Sequence, residues 1–206
     1  MNPILIAFVG VLVVPLFVAS WRLSLLGLAV QGLLMAWISY ELHPALDPLP
    51  FSIGMFDLVI VRGLGAPIAL YAALRAQSAT SRNDVIPPNL MSWTLAVALV
   101  LVAFRFADML VPAAGDEHSI VAAATAAVLL GFLVLATQRG PFSQMVGALR
   151  IENGIAMFEL GNTRDPAMQL AQTVILVVTV LLFRWYLTTL ARTSTAKSSA
   201  VEWLNP

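Results

Sequence analysis

Residues 119–137 read SIVAAATAAVLLGFLVLAT. The stretch contains no charged side chain, and no helical face of it is polar. A helix that is apolar all round belongs inside a large core or a bilayer. A span of the hydrocarbon core needs about 20 such residues. Outward from this run, Asp116, Glu117 and His118 precede it, and Gln138-Arg139-Gly140-Pro141 follows it. The same alternation of apolar run and polar breaker recurs along the chain. Seven segments qualify as spans, at about 2–19, 23–40, 52–75, 89–111, 119–137, 142–160 and 167–190. The expected fold class is an all-α membrane protein of about seven transmembrane helices. It forms one polytopic domain over 1–191 with a short, polar, mobile tail over 192–206.

Composition agrees with this reading. The 206 residues are 60% hydrophobic and 11% charged, against roughly 25% charged in an ordinary soluble domain. Net charge is zero, so no broad basic face offers itself to nucleic acid. Cysteine is absent, which excludes disulfides and thiolate metal sites within the chain. The two histidines, His43 and His118, fall in short polar loops of this scheme, away from any haem-ligating position. No cofactor is expected in this chain. No Ser–His–Asp set and no phosphate-cradling glycine loop can be built, so no catalytic site is expected either.

The loops are rich in helix breakers. Pro44, Pro48 and Pro50 fall within 41–50, so helix three is expected to begin after them, near 52. Segment one lacks a basic leader and is read as a retained helix. Basic residues set the orientation. Arg22, Arg75, Arg82, Arg139, Arg184, Arg192 and Lys197 fall on one side of a seven-helix arrangement, and only Arg164 on the other. The amino terminus is then outside and the carboxyl terminus cytoplasmic, in a bacterial inner membrane. Trp21, Trp185 and Tyr186 fit as anchors inside, Trp37 and Tyr40 outside. Gly10, Gly27 and Gly32 read as packing positions.

The remaining charges lie within spans, where each costs about 2.5–3.5 kcal/mol near the centre. Arg105 and Asp108 are three apart on one helix, close to the outer headgroups, and suit a self-contained pair. Asp57 and Glu159, near outer helix ends, can reach interfacial water. Arg62, Arg150 and Glu152 fall near mid-span. Arg150 and Glu152 are two apart, about 200° around a helix, so they cannot pair with each other. Arg62 with Glu152 matches in sign and depth. That pair reads either as a fixed link between helices three and six or as a titratable carboxylate on a hydrated path. Arg62 also opens Arg62-Gly63-Leu-Gly65-Ala-Pro67, where Pro67 displaces the carbonyl of Gly63. Glu152-Asn153-Gly154 is polar and small, as helix contacts in membranes require.

Four stretches bring a family into view. They are Trp21-Arg-Leu-Ser24 with Gln31; Arg62 and Pro67 with Tyr71-Ala-Ala-Leu-Arg75; Thr137-Gln138-Arg139 through Gly147 to Ile151-Glu152-Asn153-Gly154; and a last helix ending at Arg184. In this order, over about 20–190, the chain resembles the hydrogenase-4 component E family. That family supplies a seven-helix membrane subunit to energy-converting nickel–iron hydrogenases. The last three helices, 119–190, are also similar to the K-type membrane subunit of respiratory complex I and the C-type subunit of multisubunit sodium/proton antiporters. Arg139, Gly147 and Asn153 match that pattern. Where the K-type middle helix carries a carboxylate this chain has Leu149, and where its last helix carries another this chain has Ala171 or Gln172. Glu152, about one turn further along, is then the strong acidic candidate in this half.

The resemblance implies a non-catalytic subunit of a complex I-like, redox-driven proton pump, packed against antiporter-like subunits, with Glu152, Arg62 and Arg150 on a polar axis. Three other readings remain: a structural spacer, a subunit of a cation/proton antiporter, or an independent small-solute transporter. The chain shows no clear internal repeat in favour of the last.

Overall fold

The computed structural model describes residues 3–17, 20–42, 48–76, 90–112, 115–138, 140–160 and 166–202. These fold into α1 (Pro3–Phe17), α2 (Trp21–Leu42), α3 (Pro48–Met55), π1 (Phe56–Gly65), α4 (Ala66–Ala76), α5 (Leu90–Leu110), α6 (Asp116–Thr137), α7 (Pro141–Leu160) and α8 (Pro166–Glu202). The elements α3, π1 and α4 run on as one continuous helix, so the described residues make seven helices and no strand. Five helices are long and apolar enough to cross a membrane, at Trp21–Leu42, Phe51–Arg75, Leu90–Leu110, Asp116–Thr137 and Ala167–Leu190. The chain is a multi-pass membrane protein by that measure. The two other helices differ for separate reasons. At 15 residues, α1 is apolar but short. At 20 residues, α7 has the length, but it carries Arg150, Glu152 and Glu159.

Packing is densest where side chains are smallest. The helices α6 and α7 meet most extensively, and α5 lies on the other side of α6. A Cβ placed on Gly131 would lie 3.0 Å from the Gly147 carbonyl oxygen and 2.6 Å from Ile151 Cγ1. The two backbones approach as closely as they do only because both positions are glycine. That seam fixes the rotation of α7, and with it the directions of Arg150, Glu152 and Asn153. The edge helices α5 and α8 bury narrow stripes: Ala96, Ala103 and Ala107 in α5, Leu176, Val180 and Leu187 in α8. Their other faces expose Leu101, Val102, Phe106, Val174, Leu181 and Leu182, which suits contact with hydrocarbon.

Several expected boundaries move. The third helix starts at Pro48, before the expected 52. Pro48 and Pro50 fall in its first turn, where the backbone N–H groups have no intrahelical acceptor, so proline is tolerated. The last helix does not stop at 190: its backbone stays helical through Glu202, over most of the expected tail. His118 is not in a loop but in the first turn of α6. Gly10 is not a packing position, since a Cβ there would meet nothing within 4 Å. His43, Pro44, Arg82, Arg139 and Arg164 lie outside the described residues.

Candidate functional site

The π1 segment follows from Pro67. Proline has no N–H to donate, and its ring excludes the carbonyl four residues back, that of Gly63. The backbone answers by widening: the Ala66 N–H bonds to the Val61 carbonyl, five residues back. The glycines at 63 and 65 hold α geometry weakly and ease the change. A second constraint comes from α2. A Cβ on Gly32 would lie only 2.6 Å from the Gly63 nitrogen, so α2 and π1 touch backbone to backbone at mid-span.

Widening the turn has a chemical result. In an α-helix residues five apart point about 140° away from each other. In π1 they share a face, and Arg62 Nε donates to Asp57 Oδ2 at 2.8 Å. Asp57 was expected to reach interfacial water; instead it is only 8% exposed and turned inward onto Arg62. Arg62 itself is 1% exposed. From α7, its Nη1 is met by Asn153 Oδ1 at 3.1 Å and by the Glu152 backbone carbonyl at 3.4 Å. The Glu152 carboxylate lies 3.7 Å from Arg62 Nη2. That is ion-pair range but too long for a hydrogen bond, and Nη2 has no hydrogen-bond acceptor. Two carboxylates thus share one guanidinium, unequally.

The network continues into α2. Asn153 Nδ2 donates to Gln31 Oε1 at 3.4 Å, and Gln31 is completely buried. These polar groups form a layer between two apolar cores. One core gathers Met35, Leu58 and Met157 with α1 and α6; the other gathers Leu28, Leu70 and Leu149 with α8. Each polar residue therefore sits at a boundary in its own helix: Gln31 between Leu28 and Met35, Arg62 between Leu58 and Ala66, Asn153 between Leu149 and Ala156. A small cavity of about 10 Å³, lined by Leu28, Arg62, Ala66, Leu149, Asn153 and Leu176, adjoins the layer. That is near the lower limit for one water.

A second cavity of about 20 Å³ opens between α3, π1, α7 and α8. Gly54, Asp57, Glu159, Gln169 and Gln172 line it. Gln172 Nε2 donates to Glu159 Oε1. Asp57 thus faces Arg62 with one oxygen, while its other oxygen, Oδ1, has no hydrogen-bond partner.

The remaining charges lie apart from this cluster. Arg150 is buried and donates through Nη1 to the Leu12 carbonyl of α1 at 3.3 Å, on a different side of α7 from Glu152. Arg105 and Asp108 approach to 3.6 Å, with side chains 87% and 52% exposed. His118 Nε2 joins them, 2.8 Å from Asp108 Oδ1. Among the described residues no group of three or more His, Cys, Asp or Glu side chains could hold a metal ion.

Sequence reasoning had not placed Gln31 or Gln169 in a site. For Gln31 the signal was available: a lone amide in an otherwise apolar span, at the same depth as Arg62 and Asn153. Comparison with protein-family models, curated proteins and solved structures returned no match.

Proposed function

We propose that this chain is a non-catalytic membrane subunit of a complex I-like, hydrogenase-4-type proton-pumping assembly. In this reading it sits in a bacterial cytoplasmic membrane with its amino terminus outside, against antiporter-like subunits, and carries no cofactor of its own. One observation carries the reading: a buried Arg62 at mid-span, shared between Asp57 at 2.8 Å and Glu152 at 3.7 Å. An arginine stays charged. Where two carboxylates compete for it, protonating one releases the guanidinium to the other, and the charge state of each becomes linked to the position of Arg62. Asp57 is buried and lines a small cavity, and Glu152 is partly exposed on the other side of Arg62; intramembrane carboxylates of this kind are the ordinary material of proton relays. The π-helical backbone at that point adds to the case, since such turns concentrate at functional sites. The sequence motifs set out above supply the class of complex.

A structural role is the second reading, and the short Asp57–Arg62 pair favours it: a tight bond within one helix also serves as a fixed brace. Purification of the native assembly in mild detergent tests the class. Recovery of nickel–iron catalytic and antiporter-like subunits with this chain is the expected result. Recovery of this chain as a lone homo-oligomer would overturn it.

A further inference from the structure

We propose that the cavity between α3, π1, α7 and α8 binds one small monovalent cation, of the size of sodium. Two of the residues that line it, Asp57 and Gln169, each hold a buried oxygen without a hydrogen-bond partner, Oδ1 and Oε1. Both atoms accept and neither donates. The occupant must therefore be a donor or a cation.

Charge separates these two. Asp57 and Glu152 share the single guanidinium of Arg62, so with both carboxylates ionised the trio carries one surplus negative charge. A neutral water would satisfy the two acceptors and leave that surplus in place. A monovalent cation answers both; a proton on either carboxylate would also remove the surplus, and melts identical in sodium and choline would report that outcome. Hard oxygens of carboxylate and amide type suit such an ion. Size disfavours a divalent one: magnesium keeps several waters, and a cavity of about 20 Å³ holds about one.

The site does not depend on the pumping role, since a chain that pumps nothing would still bind the ion. The test uses the purified full chain in detergent, melted in sodium, potassium or choline chloride at one ionic strength. Ligand that binds only the folded form raises the melting temperature with its concentration. The expected result is a saturable rise in sodium above choline. It should be lost in Asp57→Asn and shifted to several-fold higher sodium in Gln169→Leu, which leaves the Arg62 pair intact. Should Asp57→Asn fail to fold, Gln169→Leu carries the test alone. Identical melts of the wild type in sodium and choline would overturn the site. So would a sodium response kept in full by Gln169→Leu, which would place binding elsewhere.

Discussion

Among the described residues two pairs of arginine and aspartate each lie within one helix, and their surroundings are opposite. Asp57 and Arg62 are five residues apart, buried, and joined at 2.8 Å. Arg105 and Asp108 are three apart, largely exposed, and 3.6 Å from each other. The second pair uses ordinary α-helical spacing and needs nothing from the rest of the fold beyond His118. The first exists only because Pro67 and two glycines hold the backbone in π1, and because Gly32 lets α2 come against it. The lesson is that an ion pair's role follows from what else must be in place for it to form. A pair that needs a special backbone and a close helix contact is coupled to tertiary structure.

Removing each arginine in turn probes that difference most strongly. Arg62→Leu strands Asp57 in a buried setting and deprives Asn153 of its donor. Loss of one partner of a buried pair costs about 3–5 kcal/mol. A large fall in melting temperature in detergent is expected, and a small one would mean that the pair is not coupled to the fold. Next in size is Gly32→Ala, which sets a methyl 2.6 Å from the Gly63 nitrogen. Overpacking of this kind costs about 1–3 kcal/mol. The same melt should show it, and adding Asp57→Asn should then cost less than it does alone, because the pair is already loosened. The smallest effect is expected of Arg105→Gln. Exposed pairs contribute about 0.2–1 kcal/mol, so its melting curve should lie close to that of the wild type.

How much of this was legible in the sequence divides along the same line. The apolar runs disclosed the helices because burial in lipid leaves no other reading for a stretch such as 119–137. The special chemistry of Arg62 and Glu152 was legible as charge at an expensive depth. The Asp57–Arg62 pair was not. Pattern reading assumes 3.6 residues per turn, and on that assumption positions 57 and 62 diverge. Asp57 was weighed by its distance from a helix end, when the deciding fact was which face it shares. Pro67 did announce a disturbance, but a lone proline does not say whether the chain kinks or widens. The early start of α3 was hidden for a related reason: Pro48 and Pro50 break a helix interior yet suit its first turn. The cavity beside Asp57 needed Gln169 and Gln172 of α8 to be brought against α7, a long-range arrangement that local pattern does not carry.

The proton-relay account rests on Glu152 as the second carboxylate of Arg62. Glu152→Gln keeps the shape of the side chain and removes its charge and its titration. The decisive measurement is proton translocation per electron pair by the purified assembly carrying that substitution, reconstituted in vesicles. The account predicts normal subunit composition and reduced translocation. Full translocation by the correctly assembled variant would contradict it and leave the cluster a structural brace.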